Sequence, residues 1–296
     1  MKKLLLCVFL VSLTPGDLLA KTIYRAKSLY RDIYVVKEGD LLCLKFSIPR
    51  KQDTSQSCKN VKKPDEMVFN YTKMTMASVL LNNNPKSILV VGLGGGTLPT
   101  ALHDMYPDAQ IISLDIDPAV ADVAKEYFEF QESENNKVVI RDARLFIKRE
   151  VLKNKQYDLI ILDAFGSDYI PEHLTTVEFL EEVKSILSPD GVIAANTFSS
   201  PRLYKHELST YAKVFGDFYV LRMPGSSNRV LLHSLNPKNM LIENIDKNAT
   251  LLKERLKKYN VDARGLYKSI DTVPSWDEDA RPLTDQYSPS NVLNAK

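Results

Sequence analysis

The stretch SILVVGLGGGT, residues 87–97, decides the fold. Residues 88–91 form a short, unbroken apolar run, the pattern of a parallel strand covered on both faces. Gly92, Gly94, Gly95 and Gly96 then fall in one turn, and residues 97–106 read as a helix with Pro99 in its first turn, where proline is tolerated. Glycines between a buried strand and a helix let the backbone approach a ligand and leave helix-start N–H groups unpaired. Taken alone, such a turn is compatible with a phosphate, an adenosine or no ligand.

Working outward, the same texture repeats. Residues 111–114, 138–140, 159–162 and 192–195 read as further buried strands, and residues 119–128, 145–152, 176–187 and 203–215 as helices. This alternation predicts a doubly wound α/β domain with a mainly parallel sheet. Residues 218–223 and 229–233 read as a hairpin around Pro224-Gly225-Ser226-Ser227. A hairpin closing the sheet places the fold, by analogy, with the S-adenosylmethionine-dependent methyltransferase type. Upstream, residues 33–36 and 41–48 read as strands, residues 49–64 as a polar loop or elongated hairpin, and residues 67–81 as a helix stopped by Asn82-Asn83-Asn84-Pro85. Residues 248–259 read as a basic helix with a solvated outer face. The predicted organisation is a leader over 1–20, a small β-rich unit and helix over 21–81, a nucleoside-binding α/β domain over 82–235, and a C-terminal helix and tail over 236–296.

Composition narrows the function classes. The 296 residues are 44% hydrophobic and 26% charged, with a formal net charge of +2. That balance is ordinary for a globular protein and argues against nucleic acid as a partner. Lys2 and Lys3, an apolar run over 4–13, the break at Pro15-Gly16 and the small Ala20 have the layout of a secretory signal peptide. Export, most simply to a periplasm, is the expectation; without cleavage the chain stays cytoplasmic. Removing the leader removes Cys7 and leaves Cys43 and Cys58, which in an oxidising compartment suggest one disulfide across a hairpin. No Cys/His cluster suggests a metal site.

Open α/β sheets bind ligands beyond the carboxyl ends of their strands. The residues there are Gly92, Gly94 and Gly95 after the first strand and Asp115 after the second; Asp142 with Ala143 follow the third, and Asp163 the fourth. A carboxylate about 20 residues past the glycines suits ribose hydroxyls, in a dinucleotide as well as an adenosine site. Asp142 and the Ala143 N–H suit an adenine edge. Turn preference explains any one of these acids but poorly explains the set.

These segments, with Asp65-Glu66 through Tyr71, Tyr157-Asp158-Leu159-Ile160-Ile161-Leu162-Asp163, the run from Tyr169 to Phe179, and Leu283-Thr284-Asp285-Gln286-Tyr287-Ser288-Pro289, resemble the spermidine synthase (polyamine aminopropyltransferase) family. The look is closest to the spermidine-synthase-like domains of bacterial transporter fusions. The resemblance implies transfer of an aminopropyl or related alkyl group from decarboxylated S-adenosylmethionine, or S-adenosylmethionine itself, to a small amine such as putrescine, without a metal. It implies Asp115 as ribose acid and Asp142 with Ala143 as adenine site. Asp163 becomes the proton acceptor and Tyr71 the wall of the amine pocket, hydrogen-bonding Asp163. The loop containing Asp168, Tyr169 and His173 is the implied substrate gate, with His173 in a structural hydrogen bond, and a homodimer is compatible. Two departures stand out: Gly95 and Gly166 occupy places where the family carries acids. Tyr219 is the candidate for a further pocket tyrosine. The alternatives are a methyltransferase on the same fold and a non-catalytic exported nucleoside-binding protein.

Overall fold

The computed structural model describes residues 20–47, 55–164, 170–197 and 201–289. The N-terminal unit is an antiparallel sheet whose strands lie in chain order: β1 (Lys21–Lys27), β2 (Asp32–Glu38), β3 (Leu41–Lys45), β4 (Ser55–Asn60) and β5 (Lys63–Met67). Ile33, Val35, Leu42, Leu44 and Phe46 point inward and pack on Val120, Val123 and Phe128 of the following domain. Cys43 and Cys58 are cross-strand partners on β3 and β4, Cα atoms 4.1 Å apart, and they form the expected disulfide. The polar return over 49–64 thus contains a strand, and its described part pairs further with β5.

The helix expected over 67–81 is broken. Met67 ends β5, and two short helices follow, α1 (Asn70–Thr75) and α2 (Ser78–Leu81). The Thr72 and Thr75 hydroxyls donate to the carbonyls of Phe69 and Tyr71 at 2.8 and 2.9 Å. Such back-bonding bends helices, and the next turn tightens to i→i+3 bonds, Ala77 N–H to Met74 among them.

The main domain continues with β6 (Ser87–Val91), α3 (Thr97–Met105), β7 (Gln110–Asp115), α4 (Pro118–Tyr127), β8 (Asn136–Ile140), α5 (Ala143–Leu152), β9 (Tyr157–Leu162), α6 (Val177–Ser185), β10 (Leu187–Thr197), α7 (Pro201–Phe215), β11 (Tyr219–Leu221) and β12 (Arg229–Ser234). Then come α8 (Ile242–Leu251), α9 (Lys253–Lys257), α10 (Ala263–Lys268) and β13 (Ile270–Asp271). The eight strands are ordered β13-β11-β12-β10-β9-β6-β7-β8. Pairings from β10 to β8 are parallel and those from β10 to β13 antiparallel. This is the expected doubly wound sheet of the methyltransferase type, closed by its hairpin. The winding reverses between β6 and β9, the switch point where such sheets open a crevice.

Apolar side chains cover both sheet faces: Ile88, Val90, Ile161 and Ala194 join one core, Leu89, Val91, Ile160 and Ala195 the other. The C-terminal segment belongs to the first of these. Ile245, Ala249, Leu252, Leu256 and Tyr259 are all buried in it, so the basic helix expected over 248–259 is amphipathic. Its lysines face outward while the opposite stripe seals the sheet.

Candidate active site

A cavity of about 350 Å³ opens at the carboxyl ends of β6 to β10. The N-terminal unit and α1 wall its other side with Arg31, Phe46, Gln56, Ser57, Phe69 and Tyr71. The two halves are pinned beside it by Asp117. This buried carboxylate caps α4 through Ala119 N–H, accepts the Ser28 hydroxyl at 2.5 Å and lies 3.9 Å from the Arg31 guanidinium.

The sequence-predicted residues converge here. Gly92, Gly94, Asp115, Asp142, Ala143, Asp163, Tyr71 and His173 all line the cavity. Gly92 has φ +104°, and a Cβ there would come within 2.2 Å of the Asp163 carbonyl oxygen, so only glycine lets β6 and β9 close this tightly. Gly95 lies apart. It is buried behind the lining, and a Cβ on it would meet Ser57 Oγ at 2.8 Å and Phe128 Cδ1 at 2.9 Å. Its lack of a side chain thus serves packing of the glycine turn against β4.

Each acid is held differently. Asp115 accepts Asp117 N–H at 2.9 Å on one oxygen and Leu93 N–H at 3.3 Å on the other. Burial raises its carboxyl, against the pull of those N–H groups. A carboxylate has about four lone-pair positions, which leaves capacity for a pair of hydroxyls. Asp142 caps α5 through Leu145 N–H at 2.9 Å, and its other oxygen meets His173 Nε2 at 3.0 Å. His173 therefore makes the structural contact expected of it, and the contact is to the adenine-site acid.

Asp163 is the most perturbed of the three. Burial lifts its carboxyl from 3.8 to about 7, opposed by the Asn196 side-chain amide, which donates to Oδ1 at 2.8 Å. Tyr71 does not bond to it. Its hydroxyl donates to the Gln56 carbonyl at 3.2 Å, while burial and then the Asp163 charge hold the phenol well above its ordinary range. Tyr71 consequently stays neutral and keeps its oxygen lone pairs as acceptors.

The signature near the C-terminus closes the rim. Arg144 grips Asp285 with two bonds of 2.7 Å, Glu182 at 3.0 Å and the His173 carbonyl at 3.4 Å. Thr176 Oγ1 donates to Asp285 at 2.8 Å. Arg144 holds the Asp285 carboxyl below the usual range. Residues 283–288 thereby clasp the segment carrying His173 to the first turn of α5.

Tyr219 is not at the site. Its hydroxyl donates to the Met240 carbonyl and it packs on the core of the opposite face. Gly166, Asp168 and Tyr169 lie outside the described residues. Sequence reasoning missed Asn196, Asn228, Gln56, Ser57 and Arg31. Asn196 carried a readable signal, a polar residue directly after the apolar run 192–195; Asn228 carried none. Among the described residues, no group of three or more His, Cys, Asp or Glu side chains is arranged to hold a metal ion.

The strand order and the cavity at the switch point define an α/β protein of the methyltransferase fold. A spermine/spermidine synthase domain matches residues 66–225, and the chain belongs to that family. The polyamine aminopropyltransferase of Vibrio vulnificus is 43% identical over 294 residues, 98% of this chain and 96% of that one. A protein described as a probable spermidine synthase from Corynebacterium glutamicum has a similar structure, with TM-score 0.67, 20% identity, and 88% and 96% of the two chains covered. Human methyltransferase-like protein 13 in complex with SAH is also similar, with TM-score 0.59 and 28% identity, covering 71% of this chain and 96% of that one.

Proposed function

We propose that this chain is a polyamine aminopropyltransferase that uses decarboxylated S-adenosylmethionine as donor and a small diamine such as putrescine as acceptor. The observation that carries the reading is the buried Asp163 carboxyl, lifted to about 7, at the floor of a cavity that also holds Asp115 and Asp142. The near-full-length match to an aminopropyltransferase supports it over the methyltransferase and the non-catalytic alternatives.

In this reading Asp115 receives the ribose hydroxyls, and Asp142 with the Ala143 N–H takes the adenine edge. A sulfonium is already an activated leaving group, so the protein chiefly orients the partners. The amine lone pair attacks the aminopropyl carbon bonded to sulfur and forms a C–N bond. The C–S bond breaks, its electron pair returns to sulfur, and methylthioadenosine leaves neutral. The amine must first be unprotonated, and Asp163 accepts that proton. An alkylammonium titrates near 10.4, so raising the acceptor from 3.8 to about 7 lowers the cost of the transfer by about 4 kcal/mol. Tyr71, its own hydrogen committed to Gln56, accepts an amine N–H and aims the lone pair.

We further propose export, supported by the leader-like residues 1–20 and by the Cys43–Cys58 disulfide. A homodimer is proposed from the edge strand β1, which ends near the exposed Leu29 and Tyr30. Product mass spectrometry, with each donor incubated against a panel of diamines and monoamines, tests the function. The reading expects methylthioadenosine and an aminopropylated diamine in equal amounts. S-adenosylhomocysteine with a methylated amine would refute it.

A further inference from the structure

Asp163 follows the last residue of β9, and its carboxylate has a single hydrogen-bond partner among the described residues, Asn196. The sheet register brings the two together. Leu162 is paired with Ala195 across the parallel β9–β10 ladder, so the next residues, Asp163 and Asn196, stand side by side at the strand ends. Across β10, Asn196 is paired with Val230 and Thr197 with Arg229. Asn228, one residue before β12, is thereby delivered to the far side of Asn196. Its Nδ2 donates to Asn196 Oδ1 at 3.0 Å.

The chemistry of this chain runs one way. An ionised carboxylate only accepts, so Asn196 must present its NH₂ to Asp163 Oδ1. Its carbonyl is then turned toward Asn228, which meets it with its own NH₂. Asn196 is 3% exposed, so water does not substitute freely for either partner. With Oδ1 occupied by a donor, the oxygen left to take a proton is Oδ2.

We propose that Asn196, oriented by Asn228, is a positioning residue for Asp163: it holds Oδ1 and leaves Oδ2 as the atom that receives the acceptor amine's proton. The inference rests on the aminopropyltransferase reading. It ties the base to the β11–β12 connection, so the hairpin that closes the sheet also sets the proton acceptor. The other charged or titratable groups around Asp163 are Tyr71 on α1, Asp115 after β7, Arg141 and Asp142 after β8, His173 before α6, and Arg31 from the N-terminal unit. Behind Asn196, Glu207 and Tyr211 of α7 border a void of about 20 Å³. None of these except Tyr71 exerts a resolved charge effect on Asp163 or receives one from it.

The test is the titration of Asp163 in ligand-free protein, read as the carboxylate infrared difference between each protein and its Asp163→Asn counterpart. Asn196→Ala removes a donor that favours the ionised form, so the midpoint should rise by at least about half a pH unit. Asn228→Ala, which leaves Asn196 in place but unsupported, should move it the same way by less. The rising limb of kcat/KM against pH should shift by matching amounts, with about a tenfold loss at pH 7 that recovers toward pH 9. A merely structural role would lower activity equally at every pH. If Asn196→Ala does not fold, Asn228→Ala decides the matter alone. An unmoved midpoint in folded variants overturns the proposal even where the wild type transfers aminopropyl groups. A shifted midpoint in a protein that transfers none would instead overturn the reaction assigned above and keep the positioning role.

Discussion

Replacing Asp163 by Asn should make the ligand-free protein more stable and the enzyme nearly inactive, and pH separates the two effects. Burial raises the folded-state carboxyl from 3.8 to about 7, so between those values the folded protein binds a proton that the unfolded chain does not. The contribution of this group to stability is full below about pH 4 and is lost as pH rises through about 7. At 1.36 kcal/mol per pH unit, the ionised carboxylate costs up to about 4 kcal/mol at pH 8, and water entering the open cavity reduces this to about 2. Asparagine carries no such penalty, and its Oδ1 still accepts the Asn196 amide. Chemical denaturation at pH 8 should therefore show Asp163→Asn more stable by about 2–4 kcal/mol, with the difference vanishing near pH 4. Turnover should fall about 10²-fold or more, because the amine loses its proton acceptor. In the wild type, kcat/KM should rise with pH through about 7. Equal stability of the two proteins at pH 8 would refute the desolvated carboxyl, and undiminished turnover would move the base to another residue, Asp168 being the nearest candidate in sequence.

Four other outcomes follow from the geometry. Asp115→Ala and Asp142→Ala should each weaken methylthioadenosine binding about tenfold or more by calorimetry, since each removes hydrogen bonds worth about 1–3 kcal/mol. Gly95→Asp should lower the thermal midpoint without creating a new donor preference, because the added Cβ collides with Ser57 and Phe128; overpacking of this kind costs about 1–3 kcal/mol. Reducing the Cys43–Cys58 disulfide, which spans 15 residues, should cost about 3 kcal/mol in denaturant and raise the donor KM, as Gln56 and Ser57 on the same strand line the cavity; two free thiols in protein from an exported fraction would contradict the bridge. Asp285→Asn breaks the two-bonded grip of Arg144 and should raise the donor KM severalfold with little change in kcat, and an unchanged KM would remove the clasp from the account.

The parallel half of the fold was legible because its strands are buried on both faces. Runs such as 88–91 and 159–162 have no polar interruption, and the acids that follow them at Asp115, Asp142 and Asp163 mark the strand ends where a ligand binds. The strands that escaped notice lack that signal. β1 turns only Tyr24 and Ala26 partly inward, and Lys63 to Asp65 at the start of β5 are exposed, so neither shows a hydrophobic alternation. The segment around residues 242–257 misled through its lysines, while the stripe Ile245, Ala249, Leu252 and Leu256 was spaced for burial all along. Within the site, residue types were readable and partners were not. Tyr71 bonds a main-chain carbonyl from β4, a contact that depends on how a polar return folds over α1. Asn228 reaches Asn196 only through the register of β10 and β12, which no local pattern encodes. Gly95 resembled a missing acid in sequence, whereas in space it is a packing position.

The central claim is that the aminopropyl chain, and not the methyl group, leaves the sulfonium. Decarboxylated S-adenosylmethionine labelled in the aminopropyl chain or, separately, in the methyl group tests this in one assay with putrescine. The account predicts that the chain label appears in the amine product while the methyl label remains entirely with the thioether nucleoside. Methyl label recovered on the amine would contradict it, as would both labels remaining in unreacted donor.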